Sequence, residues 1–141
     1  MSMYLKRVSD VMTRDVVCFT PQTPIAEATT ALLDQHIGGA PVLENGRLVG
    51  ILSKSDLCDP RRVGDTVGDR MTPLAFWVRA DDAVQTAARL MTFEKIHRAV
   101  VVDRAGKVVG IITTSDITRA EAQASREHAD PASAVPTEPQ S

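Results

Sequence analysis

Cysteine is scarce: Cys18 and Cys58 are the only two in 141 residues, and neither stands in a C-x-x-C pair. Two cysteines make no disulfide framework, although a single bridge between them stays open. Neither has a nearby His or Cys partner, and His36, His97 and His128 show no metal-ligand spacing, so no metal site is expected. Basic excess is also missing. The formal net charge of −2 argues against a generic nucleic-acid binder, which is usually basic. No apolar run approaches the length of a membrane span, and Met1 to Arg7 lack the apolar stretch of a signal peptide. The expectation is a reduced, cytoplasmic, soluble protein without a membrane partner. Walker A, G-x-G-x-x-G, G-x-S-x-G and H-E-x-x-H motifs do not occur, and no nucleophile is assembled with a base and an orienting group. The chain therefore reads as a non-enzyme. With 43% hydrophobic and 24% charged residues, the remainder is the composition of an ordinary globular domain.

What the chain does have is an internal duplication. Val8-Ser9-Asp10-Val11-Met12-Thr13 returns as Val67-Gly68-Asp69-Arg70-Met71-Thr72, 59 positions on. Gly50-Ile51-Leu52-Ser53-Lys54-Ser55-Asp56 returns as Gly110-Ile111-Ile112-Thr113-Thr114-Ser115-Asp116, 60 positions on. One residue has been inserted between the two motifs. Repeat one covers residues 8–59, a linker 60–66, repeat two 67–120, and a tail 121–141. The tail prolongs the last helix briefly and is expected to be disordered from Asp130, where three prolines follow. Each repeat alone is near the lower limit for a self-sufficient core, so the halves should fold against each other and build two related clefts.

Within repeat one, Thr23-Pro24 predicts a helix start, and Ile25, Ala28, Leu32 and Leu33 form an apolar face ending near His36. In repeat two Asp82 is the expected cap, with Val84, Ala87, Ala88 and Met91 on the face. Asn45-Gly46 between two apolar runs predicts a two-residue type I′ hairpin. Its counterpart, Arg104-Ala105-Gly106, fits a three-residue hairpin with glycine in the left-handed position, and so holds the extra residue. Short strands are expected at Val16–Phe19 and Phe76–Val78.

Each second hairpin strand runs into Ser/Thr-x-Ser-Asp, and two readings of it stand. A hydroxyl at a strand-to-helix junction can hold a phosphate beside free backbone N–H groups. The carboxylate three residues later can accept from both hydroxyls of a ribose. Gly50 and Gly110 would admit a ligand or a neighbouring backbone. The same spacing is also that of a capping box, in which Ser53 with Asp56 and Thr113 with Asp116 close helix starts without any ligand.

The doubled set of Val-x-Asp-x-Met-Thr, Ala40-Pro41-Val42 and Gly-x-x-Ser/Thr-x-Ser-Asp resembles a tandem pair of cystathionine-beta-synthase (CBS) domains, a Bateman module, over about residues 8 to 120. The resemblance implies an α/β (α+β) fold. Two β-α-β-β-α repeats would be related by a pseudo-twofold axis, with their sheets packed together and helices outside. It also implies clefts for adenine-containing ligands such as AMP, ADP, ATP or S-adenosylmethionine, and a regulatory module signalling through a ligand-dependent homodimer to a regulated protein. By the same resemblance, Asp56 and Asp116 contact ribose, Ser53 and Thr113 lie near phosphate, and Ser55 and Ser115 are polar neighbours. Many nucleotide-binding members carry a His-Arg that reaches the phosphates. Repeat two keeps it as His97-Arg98, while repeat one has Gly38-Gly39, and repeat two has Val100 where repeat one has Pro41. Unequal clefts are expected, and a single occupied site is open.

Other residues draw plainer readings. Outside the resemblance, His97-Arg98 reads as a solvated pair, as do Lys54, Lys95 and Arg61-Arg62. Cys18 reads as a small buried hydrophobe and its counterpart Trp77 as core or dimer surface, while Val17 and Phe76 fall where the family packs the base. The competing function is a protein-interaction module without a small ligand. Nucleic-acid binding through Arg61, Arg62 and Arg98 is the weakest of the three.

Overall fold

The computed structural model describes residues 6–73 and 76–128. Its elements run α1 (Val8–Val11), α2 (Ile25–Asp34), β1 (Gly39–Glu44), β2 (Arg47–Ser53), α3 (Lys54–Cys58), α4 (Val67–Arg70), β3 (Thr72–Pro73), β4 (Trp77–Arg79), α5 (Val84–Glu94), β5 (Arg98–Val102), β6 (Val108–Thr113) and α6 (Thr114–His128). They form two three-stranded sheets, ordered β1-β2-β3 and β4-β5-β6. The expected disorder beyond Asp130 lies outside the described residues.

The hairpins follow from their turn residues. Asn45 and Gly46 both take positive φ, 53° and 78°, which a type I′ turn requires and these residue types tolerate. In the second hairpin Gly106 has φ 85°, and the Asp103 carboxylate accepts from the N–H groups of Ala105 and Lys107, each at 2.9 Å. The inserted residue is thus absorbed in the turn. Both hairpins carry a register shift at matching places, Val42/Leu43 and Val101/Val102.

The helix starts differ from expectation by one residue. Pro24 and Ala83, not Thr23 and Asp82, occupy the N-cap positions, and neither makes a side-chain cap. Thr23 and Asp82 instead close the preceding turns, accepting from the N–H groups of Thr20 and Arg79. The first helical N–H groups go to backbone from the opposite repeat or its lead-in: Ile25 to the Asp65 carbonyl at 2.8 Å, and Val84 to that of Lys6 at 3.1 Å. The expected strand at Val16–Phe19 contracts to one parallel bridge between Phe19 and Val42, whereas β4 pairs with β5 over three residues.

Sequence repeats and packing units are offset. Val8 and Met12 of α1 are buried among Val78, Ala87, Met91, Ala99, Val101 and Ile112 of the second repeat. Val67 of α4 is buried among Phe19, Ala28, Leu32, Ala40, Val42 and Leu52 of the first. The opening hexapeptide of each repeat therefore belongs to the core of the other. Backbone bonds seat it there: Val8 N–H to Asp82 and Ser9 N–H to Ala80, with Val67 N–H to Thr23 and Gly68 N–H to Pro21. β3 extends this exchange by pairing with β2, and Thr13 makes the matching bridge to Ile111 on β6.

Candidate functional site

The two Ser/Thr-x-Ser-Asp segments fold as capping boxes. Asp56 Oδ2 accepts from the Ser53 N–H at 2.9 Å, and Ser53 Oγ accepts from the Asp56 N–H at 3.4 Å. Asp116 Oδ2 accepts from the Thr113 N–H at 3.0 Å, and Thr113 Oγ1 accepts from the Asp116 N–H at 3.0 Å. Reciprocal bonds of this kind satisfy two orphan donors at a helix start. Capping leaves each carboxylate with further lone pairs, and these are used across the repeat boundary.

Thr72 Oγ1 donates to Asp56 Oδ1 at 2.9 Å, and Thr13 Oγ1 stands 3.4 Å from both oxygens of Asp116. The Met-Thr that opens each repeat thus closes over the aspartate that ends the other. Gly50 and Gly110 make the close approach possible. A β-carbon at either would fall 2.6 Å from the carbonyl oxygen of Thr72 or Thr13, and 2.9 or 2.8 Å from the sulfur of Met71 or Met12. The neighbour these glycines admit is backbone. Both aspartates are buried, at 6% and 5% exposure, so the hydrogen bonds replace lost hydration.

Cations complete the two carboxylates unequally. Arg62 Nε lies 3.5 Å from Asp56 and 3.7 Å from Asp59, while its Nη1 donates to the Met71 carbonyl at 2.7 Å. This linker arginine is therefore a tie between α3 and α4, not the solvated residue expected. Asp116 has instead the exposed Arg119, at 3.4 Å. Thr13, Thr72 and Arg62 are the contacts that sequence reading missed. The threonines carried a signal, since each follows the repeated Met, but nothing local named their partner.

Two clefts flank this framework. The larger, a cavity of about 510 Å³, is lined by the Thr13–Val17 segment, the Gln35–Gly39 loop, His97, Arg98, Ile111, Thr113, Thr114 and Ser115. The smaller, about 270 Å³, is lined by Ile51, Ser53, Ser55, Thr72, Pro73, Phe76 and the Lys95–Arg98 segment. Related positions supply both. The structure thus brings Thr113 and Ser115 to one cleft and Ser53 and Ser55 to the other, while Asp116 and Asp56 are buried in the capping boxes and line neither. Val17 and Phe76 take matching places. His97 and Arg98 line both clefts.

Arg98 is placed by an absence of side chains. Its backbone belongs to β5, opposite Thr113, but its guanidinium lies over the Gly38-Gly39 loop. A β-carbon on Gly38 would fall 2.8 Å from Nη1 and Nη2, and one on Gly39 would fall 2.5 Å from Nη1. Burial pushes the Arg98 guanidinium below its ordinary pKa, and the Asp56 carboxylate acts in the opposite sense. Such a desolvated cation gains more from an arriving anion than a solvated one does.

The remaining candidates stand apart from the clefts. Cys18 is exposed, contrary to expectation, because Phe19 is the residue of that segment that enters the core. Partial desolvation raises its thiol pKa, which lowers its thiolate fraction. Trp77 is 52% exposed and Val78 buried beside it, by the same alternation. Arg61 is exposed and pairs with Asp59. Among the described residues no cluster of His, Cys, Asp or Glu could hold a metal ion, and no helix is long and apolar enough to cross a membrane.

Two offset repeats, exchanged openings and paired clefts define a tandem CBS-domain fold. The family model for the CBS domain matches residues 8–60 and again 67–123, and the chain belongs to that family. Among solved structures it is similar to CBSX2 in complex with AMP, a CBS-pair protein of Arabidopsis thaliana, at 33% identity and a TM-score of 0.76, covering 85% of this chain and 98% of that one. It is similar also to the CBS domain pair of protein MJ0100 in complex with 5′-methylthioadenosine and S-adenosyl-L-methionine, at 28% identity and a TM-score of 0.76, covering 84% and 97%. A curated relative is the inosine-5′-monophosphate dehydrogenase of Thermoplasma acidophilum, 33% identical over 113 residues, or 80% of this chain. The chain spans only 23% of that enzyme's length.

Proposed function

We propose that this chain is a non-catalytic regulatory module that binds an adenine nucleotide of the AMP, ADP or ATP type, with S-adenosylmethionine as a further candidate. The observation that carries the reading is the 510 Å³ cleft, which hydroxyls of Thr113 and Ser115 line together with His97 and Arg98. Cation and hydroxyls suit a phosphate, and the Asp116 carboxylate, in the capping box with Thr113, would suit a ribose. The complexes of CBSX2 with AMP and of the MJ0100 domain pair with S-adenosyl-L-methionine support the same ligand class. Ser53 and Ser55 line the smaller cleft, with Asp56 capping the helix start beside them, and this cleft would fill second.

The signal would pass through a homodimer. Leu33 on α2 and Phe93 on α5 are 59% and 84% exposed and offer apolar surface for it. The ligand must favour one dimer arrangement, since equal affinity for two would shift neither. A cytoplasmic setting fits two unpaired thiols, and the net charge of −2 sets nucleic acid aside as a partner. The second reading, a protein-interaction module without a small ligand, is favoured by the capping boxes, which account for both aspartates on structural grounds alone.

Calorimetry and thermal shift with AMP, ADP, ATP and S-adenosylmethionine separate the two. A ligand held only by the folded state stabilises it by about 2.7 kcal/mol at a hundredfold excess over Kd. A clear rise in melting temperature with one of them is expected. No rise with any at millimolar concentration would overturn nucleotide sensing in favour of the interaction module.

A further inference from the structure

The two clefts have the Arg98 guanidinium in common. Gly38-Gly39 leaves the first repeat without a basic pair of its own, and the same glycines vacate the space that the Arg98 guanidinium occupies. Arg98 starts on the sheet of the second repeat and ends over the loop of the first, so it stands between the clefts and lines both. His97 does the same. The other basic residues differ from cleft to cleft. Arg14 lines only the larger and donates to the Ser9 carbonyl at 3.0 Å, while Lys95 lines only the smaller. Arg14 is already engaged, and Lys95 leaves the smaller cleft a cation of its own, so competition for Arg98 weakens the second site without abolishing it.

Resting on the nucleotide-binding reading above, we infer that the two clefts compete for Arg98, so that a phosphate bound in one weakens phosphate binding in the other. A guanidinium's five donors are fixed in one plane, so a phosphate that takes the fork in one cleft leaves fewer donors, and less well aimed ones, for the other. Two bound phosphates would also stand as like charges on either side of a partly desolvated region, where their repulsion is screened less than in water. The module is thus anticooperative for nucleotides and takes one phosphate-bearing ligand per chain at moderate concentration. Gly38 and Gly39 act as positioning residues for this sharing. A side chain at either would push the guanidinium off the larger cleft.

Titration calorimetry with AMP on the full chain tests the coupling, with adenosine as the uncharged control. Wild type is expected to bind one AMP per chain, the second at least roughly tenfold weaker, within the usual range of coupling between sites. Adenosine should show a smaller gap, set by the unequal clefts alone. Arg98→Gln should weaken the first AMP and bring the two sites to similar affinity. Gly38→Ala keeps Arg98 but displaces it; the atoms nearest its β-carbon are the flexible end of that side chain. It should narrow the gap without lowering the melting temperature. Two AMP bound independently with equal affinity in wild type would overturn the sharing while leaving nucleotide binding intact. So would a gap that persists unchanged in Arg98→Gln. Binding of neither AMP nor adenosine would overturn the nucleotide reading itself.

Discussion

Asp56 and Asp116 show how one residue type can serve structure and chemistry at once. Each caps a helix, accepts a threonine hydroxyl from the opposite repeat and shares its capping box with a hydroxyl that lines a cleft. Removing one hydroxyl leaves part of a buried carboxylate without its partner, and such losses cost about 1–3 kcal/mol. Thr72→Val should therefore destabilise more than Thr13→Val in urea unfolding, because its bond is 2.9 Å against two contacts of 3.4 Å. Equal or inverted losses would show that the clasp is not held by these bonds. Asp69 offers a pH test. The Thr66 side chain, then its backbone N–H, holds the Asp69 carboxyl below its ordinary pKa. A depressed folded-state pKa contributes stability above the ordinary carboxylate range and loses it as pH falls through the folded value. The difference in urea midpoint between wild type and Asp69→Ala should shrink as pH drops from about 5 to about 2.

At the level of elements, the hairpins and the closing glycines obey different rules. Gly46 and Gly106 are needed for positive φ and have open space around them. Gly50 and Gly110 lie in ordinary strand and are needed because the Met-Thr backbone passes over them. Ala in place of Gly50 should cost about 1–3 kcal/mol by forcing β3 away from β2, the usual scale for overpacking. Ala in place of Gly46 should cost about 1 kcal/mol from backbone strain alone. Thermal unfolding of both variants checks the order, and Gly50→Ala should also loosen Thr72 from Asp56.

For the whole molecule, exchange of the opening hexapeptides decides what can fold alone. A fragment of residues 8–60 follows the sequence repeat but lacks Val67, α4 and β3, which complete its core and sheet. A fragment of 16–73 keeps them. Both are near the size at which a core is marginal, so one buried segment should decide the outcome. Circular dichroism should show cooperative melting for 16–73 and little structure for 8–60; the opposite order would mean that the exchanged packing is dispensable. The exchange also puts the opening threonine of each repeat on the wall of a different cleft, Thr13 on the larger and Thr72 on the smaller.

The duplication, the turn types and the capping boxes were legible in the sequence because each depends on residues within a few positions: Asn45-Gly46 for the turn, and Ser53 with Asp56 for the cap. The broad fold was legible because those local signals occur twice in the same order. The tertiary structure alone decided where Met12-Thr13 and Met71-Thr72 dock, since their partners lie 103 and 16 residues away and no local pattern encodes the exchange. It alone placed Arg62 on Asp56 and brought the Arg98 guanidinium over Gly38-Gly39. Gly38-Gly39 reads in the sequence as a missing phosphate contact. In the folded chain it is the space that lets one arginine face both clefts, because a glycine's missing β-carbon matters only when another part of the chain arrives to use it.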